Sequence, residues 1–401
     1  MPSSSSPEAR SGSPDSRQFG RVELIRRERQ PSAERKITEL LSLADIRIDG
    51  DRPWDIQVHD RRFYERVLAE GSLGAGEAYM DGWWDVQALD QFFDRFRRAG
   101  VEREVRRWSV AWLALRSKLF NLQTRSRAAE VAHAHYNLGN DIYEAMLDRR
   151  MQYTCGYWKD AATLDEAQEM KLHLICRKLG LRPGMTVLEL GGGFGGFAHF
   201  AATEYGCAVV SYNISEAQVC YGREWCKGLP VRYELKDYRE AIGEDGQFDR
   251  VASIGLCEHV GYKNYRTFLG LAHAKLKDRG LFLLHTIGEM LSLTSTDPWI
   301  DKYIFPNGLI PSVTQLGDAM EDLWVMEDWH NFGPDYDRTL IAWWENFDRE
   351  WPGLKAKYGE RFRRMWKYYL MASAGAFRAR HLQLWQIVLS KGDIGSYAPV
   401  R

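Results

Sequence analysis

Five short apolar runs punctuate residues 165–290: MTVLEL, CAVVSY, VRYEL, FDRVASI and GLFLLHTI. Each has the length of a strand and carries β-branched or aromatic residues, and helical stretches fall among them. Strands alternating with helices predict an α/β protein on a doubly wound, mostly parallel sheet. In such a sheet a ligand sits beyond the carboxyl ends of the strands, so functional residues are expected directly after each run.

The pattern changes on both sides of this block. Residues 34–100 mix helix and strand signals: LLSLADIRIDGDRPWDIQVHD holds an alternating IRI, a turn-like DGDRP and a second alternating run. Gly71, Gly74, Gly76 and Gly82 then punctuate the chain, and a small N-terminal α+β domain is expected there. Within 101–130, Val105, Trp108, Trp112, Leu115, Leu119 and Leu122 recur at three and four, which lines one helix face. Six Lys/Arg and no acid lie between Val105 and Arg127. A basic amphipathic linker of this kind suits a membrane interface. A helix packed on its own protein, with its charges solvated, has the same pattern.

After Leu291 the chain turns aromatic and helical, with Trp343, Trp344, Phe347, Trp351, Phe362 and Trp366 crowded together. A cap inserted over about 291–375 is expected, inside a domain running from 131 to 401. Its Arg361, Arg363, Arg364 and Lys367 suit either lipid phosphates or a solvated face. Residues 1–33 open with MPSSSSPEARSGSPDSRQFG, which has no apolar core and reads as a disordered tail rather than a secretion signal.

Composition narrows the classes. Hydrophobic residues make up 45% and charged residues 27%, the balance of a soluble globular chain. A formal net charge of −1 gives no global signal for nucleic acid or a membrane surface. No apolar stretch long enough to span a bilayer escapes charges. The six Cys show no CxxC spacing and no Cys/His cluster, so no metal is expected and the thiols read as reduced, in the cytoplasm. Aromatics at 13%, with 15 Trp, fit a greasy pocket or simply a bulky core.

The first strand ends in Glu189-Leu190-Gly191-Gly192-Gly193-Phe194-Gly195-Gly196. Glycines let the backbone turn tightly and approach a ligand, and the next helix offers free N–H groups. The loop fits G-x-G-x-x-G, so a nicotinamide cofactor is one candidate. Glu189 at the strand end instead fits the E-x-G-x-G-x-G pattern of class I methyltransferases. The second strand ends in Ser211-Tyr212-Asn213, without the acid that grips a ribose diol in dinucleotide enzymes. The fourth strand delivers Glu258 and His259 to the rim and the fifth delivers His285. Each alone reads equally well as a capping acid or a structural histidine.

Together these motifs resemble the cyclopropane fatty acid synthase family. The likeness runs through His135-Tyr136-Asn137-Leu138-Gly139-Asn140, Met151-Gln152-Tyr153-Thr154-Cys155-Gly156-Tyr157-Trp158, the glycine loop and Cys257-Glu258-His259-Val260-Gly261. It continues in Lys302-Tyr303-Ile304-Phe305-Pro306-Asn307-Gly308 and Asp328-Trp329-His330-Asn331-Phe332-Gly333. Upstream, Gly50-Asp51-Arg52-Pro53-Trp54 and Tyr79-Met80-Asp81-Gly82-Trp83-Trp84 resemble the N-terminal domain of the bacterial enzymes. The loop departs from many relatives in reading Gly-Gly-Gly-Phe for Gly-Cys-Gly-Trp, Asn137 stands for a frequent Asp, and Asn213 for a common Thr.

The resemblance implies transfer of a methylene unit from S-adenosylmethionine to a cis double bond of a phospholipid acyl chain. It implies a bound bicarbonate as base, held by groups matching Cys155, Glu258, His285, Ile287 and Tyr336. For the donor it implies Tyr136, Glu189, Gly191 and Gly193, then Asn213, Ile214 and Gln218, with Asp237 and Tyr238 near the adenine. Aromatic residues between Tyr303 and Trp344 suit a cationic intermediate. A cytoplasmic homodimer in peripheral contact with membrane phospholipid, with no nucleic-acid partner, completes the expectation. A same-fold methyltransferase making a methyl- or methylene-branched chain, and a non-catalytic lipid-binding module, are the competing readings.

Overall fold

The computed structural model describes residues 32–101, 139–243 and 246–401. The basic pattern from Val105 to Leu122, Tyr136 and nearly all of the expected tail lie outside the described residues.

The N-terminal unit runs α1 (Ser32–Ser42), β1 (Ile56–Val58), α2 (Arg62–Glu70), α3 (Ser72–Met80), β2 (Trp84–Val86) and α4 (Leu89–Arg98). Its two strands pair antiparallel, Ile56 opposite Val86 and Val58 opposite Trp84. Two strands alone are too few for a stable sheet. The unit is completed by apolar packing: Phe63, Trp84, Phe92 and Phe93 share one core with Trp343, Trp366 and Tyr368 from the far end of the chain.

The second part begins with α5 (Asn140–Met146) and α6 (Leu164–Lys178). Thr163 caps α6 through a reciprocal pair with Glu166, which satisfies orphan N–H groups on both sides. Then follow β3 (Thr186–Leu190), α7 (Gly196–Tyr205), β4 (Ala208–Asn213), α8 (Glu216–Trp225), β5 (Val231–Leu235), β6 (Phe248–Ile254), α9 (Tyr265–Lys275) and β7 (Leu276–Glu289). The chain ends through α10 (Pro298–Tyr303), α11 (Val313–Met320), β8 (Val325–Asn331), α12 (Pro334–Arg378) and β9 (Leu382–Ser390). The sheet order is β5-β4-β3-β6-β7-β9-β8. The first five strands are parallel, and β9 runs antiparallel to both β7 and β8.

Strand alternation sorts the two helical layers. Val187, Leu281, Leu283 and Val388 face α6 and α7 in one core, while Leu188, Leu190, Phe282, Leu284 and Ile387 face α9 and α11 in another. By the same parity Glu189 and His285 fall on the α6 side. Strand order reverses between β3 and β6, so the switch-point crevice opens between the glycine loop and the residues after β6.

The segment expected as a helical cap over 291–375 contains a strand of the sheet. β8 lies within it and pairs with β9. Its sequence VMEDWHN leaves Val325 and Met326 exposed on the sheet edge, so it carries no buried apolar run. Three of the four basic residues singled out on α12 are committed: Arg364 donates to Tyr79 O and Asp85, Arg361 to Asp81, and Arg363 to Asp348, while Lys367 Nζ lies 5.4 Å from the Trp344 ring centroid. Arg361 and Arg364 thus tie α12 to the N-terminal unit rather than standing free for phosphates. Among the described residues no helix is long and apolar enough to cross a membrane.

Candidate active site

The donor loop is shaped by its own neighbours. Gly191 and Gly192 N–H both donate to Tyr212 O at 3.0 Å, so the end of β4 pins the turn. Gly191 and Gly193 have φ of 86° and 54°, the left-handed region that favours glycine. At Gly192 the constraint is space: an added Cβ would lie 1.9 Å from Ser211 Oγ and 2.5 Å from the Tyr233 hydroxyl. Asn213 Nδ2 donates to Gly193 O at 2.9 Å and to Gln218 Oε1 at 2.8 Å, and the Tyr233 hydroxyl donates to Gly193 O at 2.6 Å. Buried Glu189 accepts from Ser211 Oγ at 2.7 Å. Burial pushes its carboxyl up to about 7 against the pull of Ser211 and Lys171.

Glu189, Gly191, Gly193, Asn213 and Gln218 are therefore joined in one bonded cluster or lie one residue from it. Ile214 stands partly exposed beside them. Asp237 is already committed to Arg239, whose Nε and Nη2 donate to it at 2.7 Å each. The Tyr238 ring meets Phe268 edge-on, and burial raises its hydroxyl to about 12.

The carboxyl ends of β6 and β7 open onto a different space. A cavity of about 830 Å³ is walled by α1, α2 and α4 on one side and by α12 and the ends of β6 and β7 on the other. Ligand cavities commonly have about 300–1,000 Å³. Leu40, Phe63, Phe93 and Phe96 make its greasy wall; Glu258, His259, His285, Ile287 and Tyr336 supply the polar end. Glu258 Oε1 accepts the Ile287 N–H at 2.6 Å. Its Oε2 is buried with no hydrogen-bond partner among the described residues. His285 Nδ1 faces the Gln386 side-chain amide at 3.3 Å, which leaves Nε2 as the ring donor, and that atom too has no partner. Burial, with the charges of Lys171 and Lys178, holds His285 well below its ordinary range, so it is neutral. Burial pushes Glu258 up to about 7.

The remaining expected residues sit less directly. Ile287 lines the cavity, but its N–H is spent on Glu258. Cys155 is fully buried, donates its thiol to Gly156 O at 3.1 Å and does not line the cavity. Tyr336 lines it, its ring 4.6 Å from that of Phe377. Of the aromatics between Tyr303 and Trp344, Phe305 and Tyr336 line the cavity, whereas Trp343 is core.

Residues 152–155 form a strap between loop and cavity that the motifs did not explain. Lys171 Nζ donates to Gln152 Oε1 at 2.7 Å and to Thr154 Oγ1 at 2.8 Å. Thr339 Oγ1 accepts from Gly156 N at 3.1 Å and from Trp158 Nε1 at 2.9 Å. The signal for Lys171 was its place in α6: Leu164, Gln168, Lys171 and Ile175 share one face, and all four are buried. Among the described residues no cluster of His, Cys, Asp and Glu has a metal-holding arrangement.

A glycine turn at the switch point, beside a greasy cavity ending in a neutral histidine and a raised carboxyl, narrows the fold to few families. The family model "Mycolic acid cyclopropane synthetase" matches residues 123–387. The chain belongs to this family. It is 52% identical over 355 residues to the cyclopropane-fatty-acyl-phospholipid synthase of Escherichia coli K12, covering 88% of this chain and 92% of that one. It is 30% identical to the tuberculostearic acid methyltransferase UfaA1 of Mycobacterium tuberculosis, covering 81% and 80%. Among solved structures it is similar to the mycolic acid cyclopropane synthase CmaA1 complexed with SAH and CTAB. That match has a TM-score of 0.60 and 29% identity, over 66% of this chain and 98% of that one. Coclaurine N-methyltransferase, at 20% identity and a TM-score of 0.63, shares the fold. The protein is an enzyme of the S-adenosylmethionine-dependent methyltransferase class, on the class I α/β fold with a small N-terminal α+β unit.

Proposed function

We propose that this enzyme transfers a methylene unit from S-adenosylmethionine to a cis double bond of a phospholipid acyl chain and closes a cyclopropane ring. The observation that carries the reading is the pairing of two orphaned polar atoms, Glu258 Oε2 and His285 Nε2, at the end of a cavity whose walls are otherwise mostly apolar. The alkene attacks the sulfonium methyl; a new carbon–carbon bond forms, the carbon–sulfur bond breaks, and a carbocation is left in the chain. The greasy walls keep out the water that would trap it, and the Tyr336 and Phe305 rings offer π faces to the charge. A proton must then leave the new methyl group.

The residues present fit a small hydroxyl-bearing anion such as bicarbonate. Neutral His285 donates from Nε2 and the Glu258 carboxylate accepts a hydroxyl proton at Oε2. When bound, such an anion supplies the base. Of the five groups expected to hold it, these two have their atoms open to it; the Ile287 N–H and the Cys155 thiol are already engaged. The test is purified enzyme with donor, unsaturated phospholipid vesicles, and bicarbonate present or stripped. Acyl chains should gain the mass of one CH2 and lose their olefinic protons, faster with bicarbonate. Consumed donor beside unchanged lipid would refute the reading.

Because Glu258 must be a carboxylate to accept that proton, the rate should rise with pH through about 7 and level above it. The sign follows from burial: the raised carboxyl is protonated, and idle, below that value. A rate constant across that range would remove Glu258 from this role.

Peripheral membrane contact belongs to the proposal. Moving an acyl chain through water costs about 0.8 kcal/mol per CH2, so the cavity mouth should meet the bilayer. The loop after β7 supports this: Met290 and Leu291 are 65% and 47% exposed, and the next residues, Ser292–Thr296, line the cavity. Replacing both with Glu should weaken vesicle co-sedimentation about tenfold or more while leaving turnover on detergent-dispersed lipid intact. Unchanged co-sedimentation would move the contact elsewhere. A cytoplasmic homodimer remains part of the proposal, and sedimentation equilibrium reads its stoichiometry.

A further inference from the structure

Three polar side chains of α6 are completely buried; Lys178 pairs with Asp328 at 3.0 Å, which leaves Gln168 and Lys171. Besides the two Lys171 bonds, Gln168 Nε2 donates to Thr154 O at 2.8 Å. Both residues are 0% exposed. An ammonium is among the costliest groups to take out of water, so a fold that keeps one buried uses it for something.

What both residues hold is the strap 152–155, and the strap is a partition. On the donor side, the Gln152 amide packs where a Cβ on Gly196 would be, 2.0 Å from that position, at the start of the helix that follows the glycine loop. On the other side, the Thr154 methyl lies 2.7 Å from the Cβ position of Gly255, the first residue after β6. Tyr153, Thr154 and Gly255 all line the cavity. The donor loop takes its own bonds from Tyr212, Asn213 and Tyr233, none of them from α6. Lys171 thus sets the wall between two pockets, and it reaches the donor side through its charge on Glu189 and through Gln152 rather than by a hydrogen bond to the loop.

We propose that Lys171, supported by Gln168, is a positioning residue for methyl transfer, fixing the strap so that sulfonium and double bond meet in line. The inference rests on the function proposed above. An isolated alkene is a weak nucleophile, and transfer needs reacting atoms about 3–3.5 Å apart and aligned. A wall that drifts by a fraction of an ångström loses that alignment while both ligands still bind. The Lys171 charge also acts on Glu189 and His285, on either side of the partition.

The test uses the full-length enzyme and two variants. Lys171→Met removes the ammonium but leaves the Gln152 and Thr154 oxygens without a donor. The triple variant Lys171→Met, Gln152→Leu, Thr154→Val also removes those oxygens, at the cost of the longer bond from Gln152 Nε2 to the part-buried Arg150 O, 3.3 Å. In both, turnover should fall about 100-fold or more, while S-adenosylhomocysteine binding by calorimetry stays within about threefold. A larger share of product should come from trapped cation: water bonding to it and releasing a proton gives a methyl-branched alcohol. A triple variant that melts and turns over like wild type would overturn the proposal. So would donor binding that falls in step with turnover, or a triple variant that does not fold, since the ammonium would then be holding the fold itself. A wild-type enzyme that makes no cyclopropane in the same assay would instead overturn the function beneath it.

Discussion

Glu258→Gln should lower turnover by about 100-fold or more and leave donor binding within about threefold of wild type. The substitution is nearly isosteric. Its amide oxygen can still accept the Ile287 N–H that Glu258 Oε1 now takes at 2.6 Å, so the end of β7 keeps its shape. The other position changes from an acceptor to an N–H2 donor, and the buried acceptor at Oε2 is lost. The donor loop follows β3, while Glu258 follows β6, and the loop is held by Tyr212, Ser211, Asn213 and Tyr233 instead. Turnover with phospholipid vesicles and calorimetry with S-adenosylhomocysteine separate the two effects. Loss of donor binding equal to the loss of rate would mean that Glu258 builds the donor pocket instead.

The opposite split is expected at the glycine turn. Gly192→Ala puts a methyl 1.9 Å from Ser211 Oγ, 2.5 Å from the Tyr233 hydroxyl and 3.0 Å from Glu189 Oε2. These are buried groups, and two of them hold other parts of the loop: Ser211 donates to Glu189, and Tyr233 donates to Gly193 O. The turn must move, and with it the N–H groups and the approach to the donor. Affinity for S-adenosylhomocysteine should fall about 100-fold, close to 2.7 kcal/mol. The melting temperature should drop as well, because overpacking commonly costs about 1–3 kcal/mol. Binding within threefold of wild type would show that the donor does not sit on this turn.

Much of the sheet was legible because buried parallel strands read as continuous apolar runs. All five runs read from the sequence became β3 to β7, four of them largely buried, while VRYEL forms the edge strand β5 with Tyr233 as its buried side chain. β8 hid because an edge strand with Glu327, Asp328 and His330 has no apolar run, and its place depends on β9, which is far along the chain. The glycine loop, Glu258 and His285 could be found by rule, since they stand at strand ends of a doubly wound sheet. Ile287 stands at the same strand end as His285, whereas Cys155 and Tyr336 came from resemblance alone, because a thiol and a helical tyrosine carry no local signature. Lys171 and Thr339 escaped for a different reason. A polar residue on a helix is normally solvated, and only its phase relative to Leu164 and Ile175 betrays burial. The tryptophans of α12 looked like pocket walls, yet Trp343 and Trp366 fill the core shared with the N-terminal unit.

Ring closure is the central claim, and isotopic labelling of the donor tests it most directly. With a trideuteromethyl donor and monounsaturated phospholipid, one deuteron must leave the transferred carbon as the ring closes. The product should carry two deuteriums on a cyclopropane carbon, with no olefinic signal left in the acyl chain by proton NMR. Three deuteriums on a methyl branch, or two on a methylene branch, would contradict the account and place the enzyme among the branching methyltransferases of the same fold.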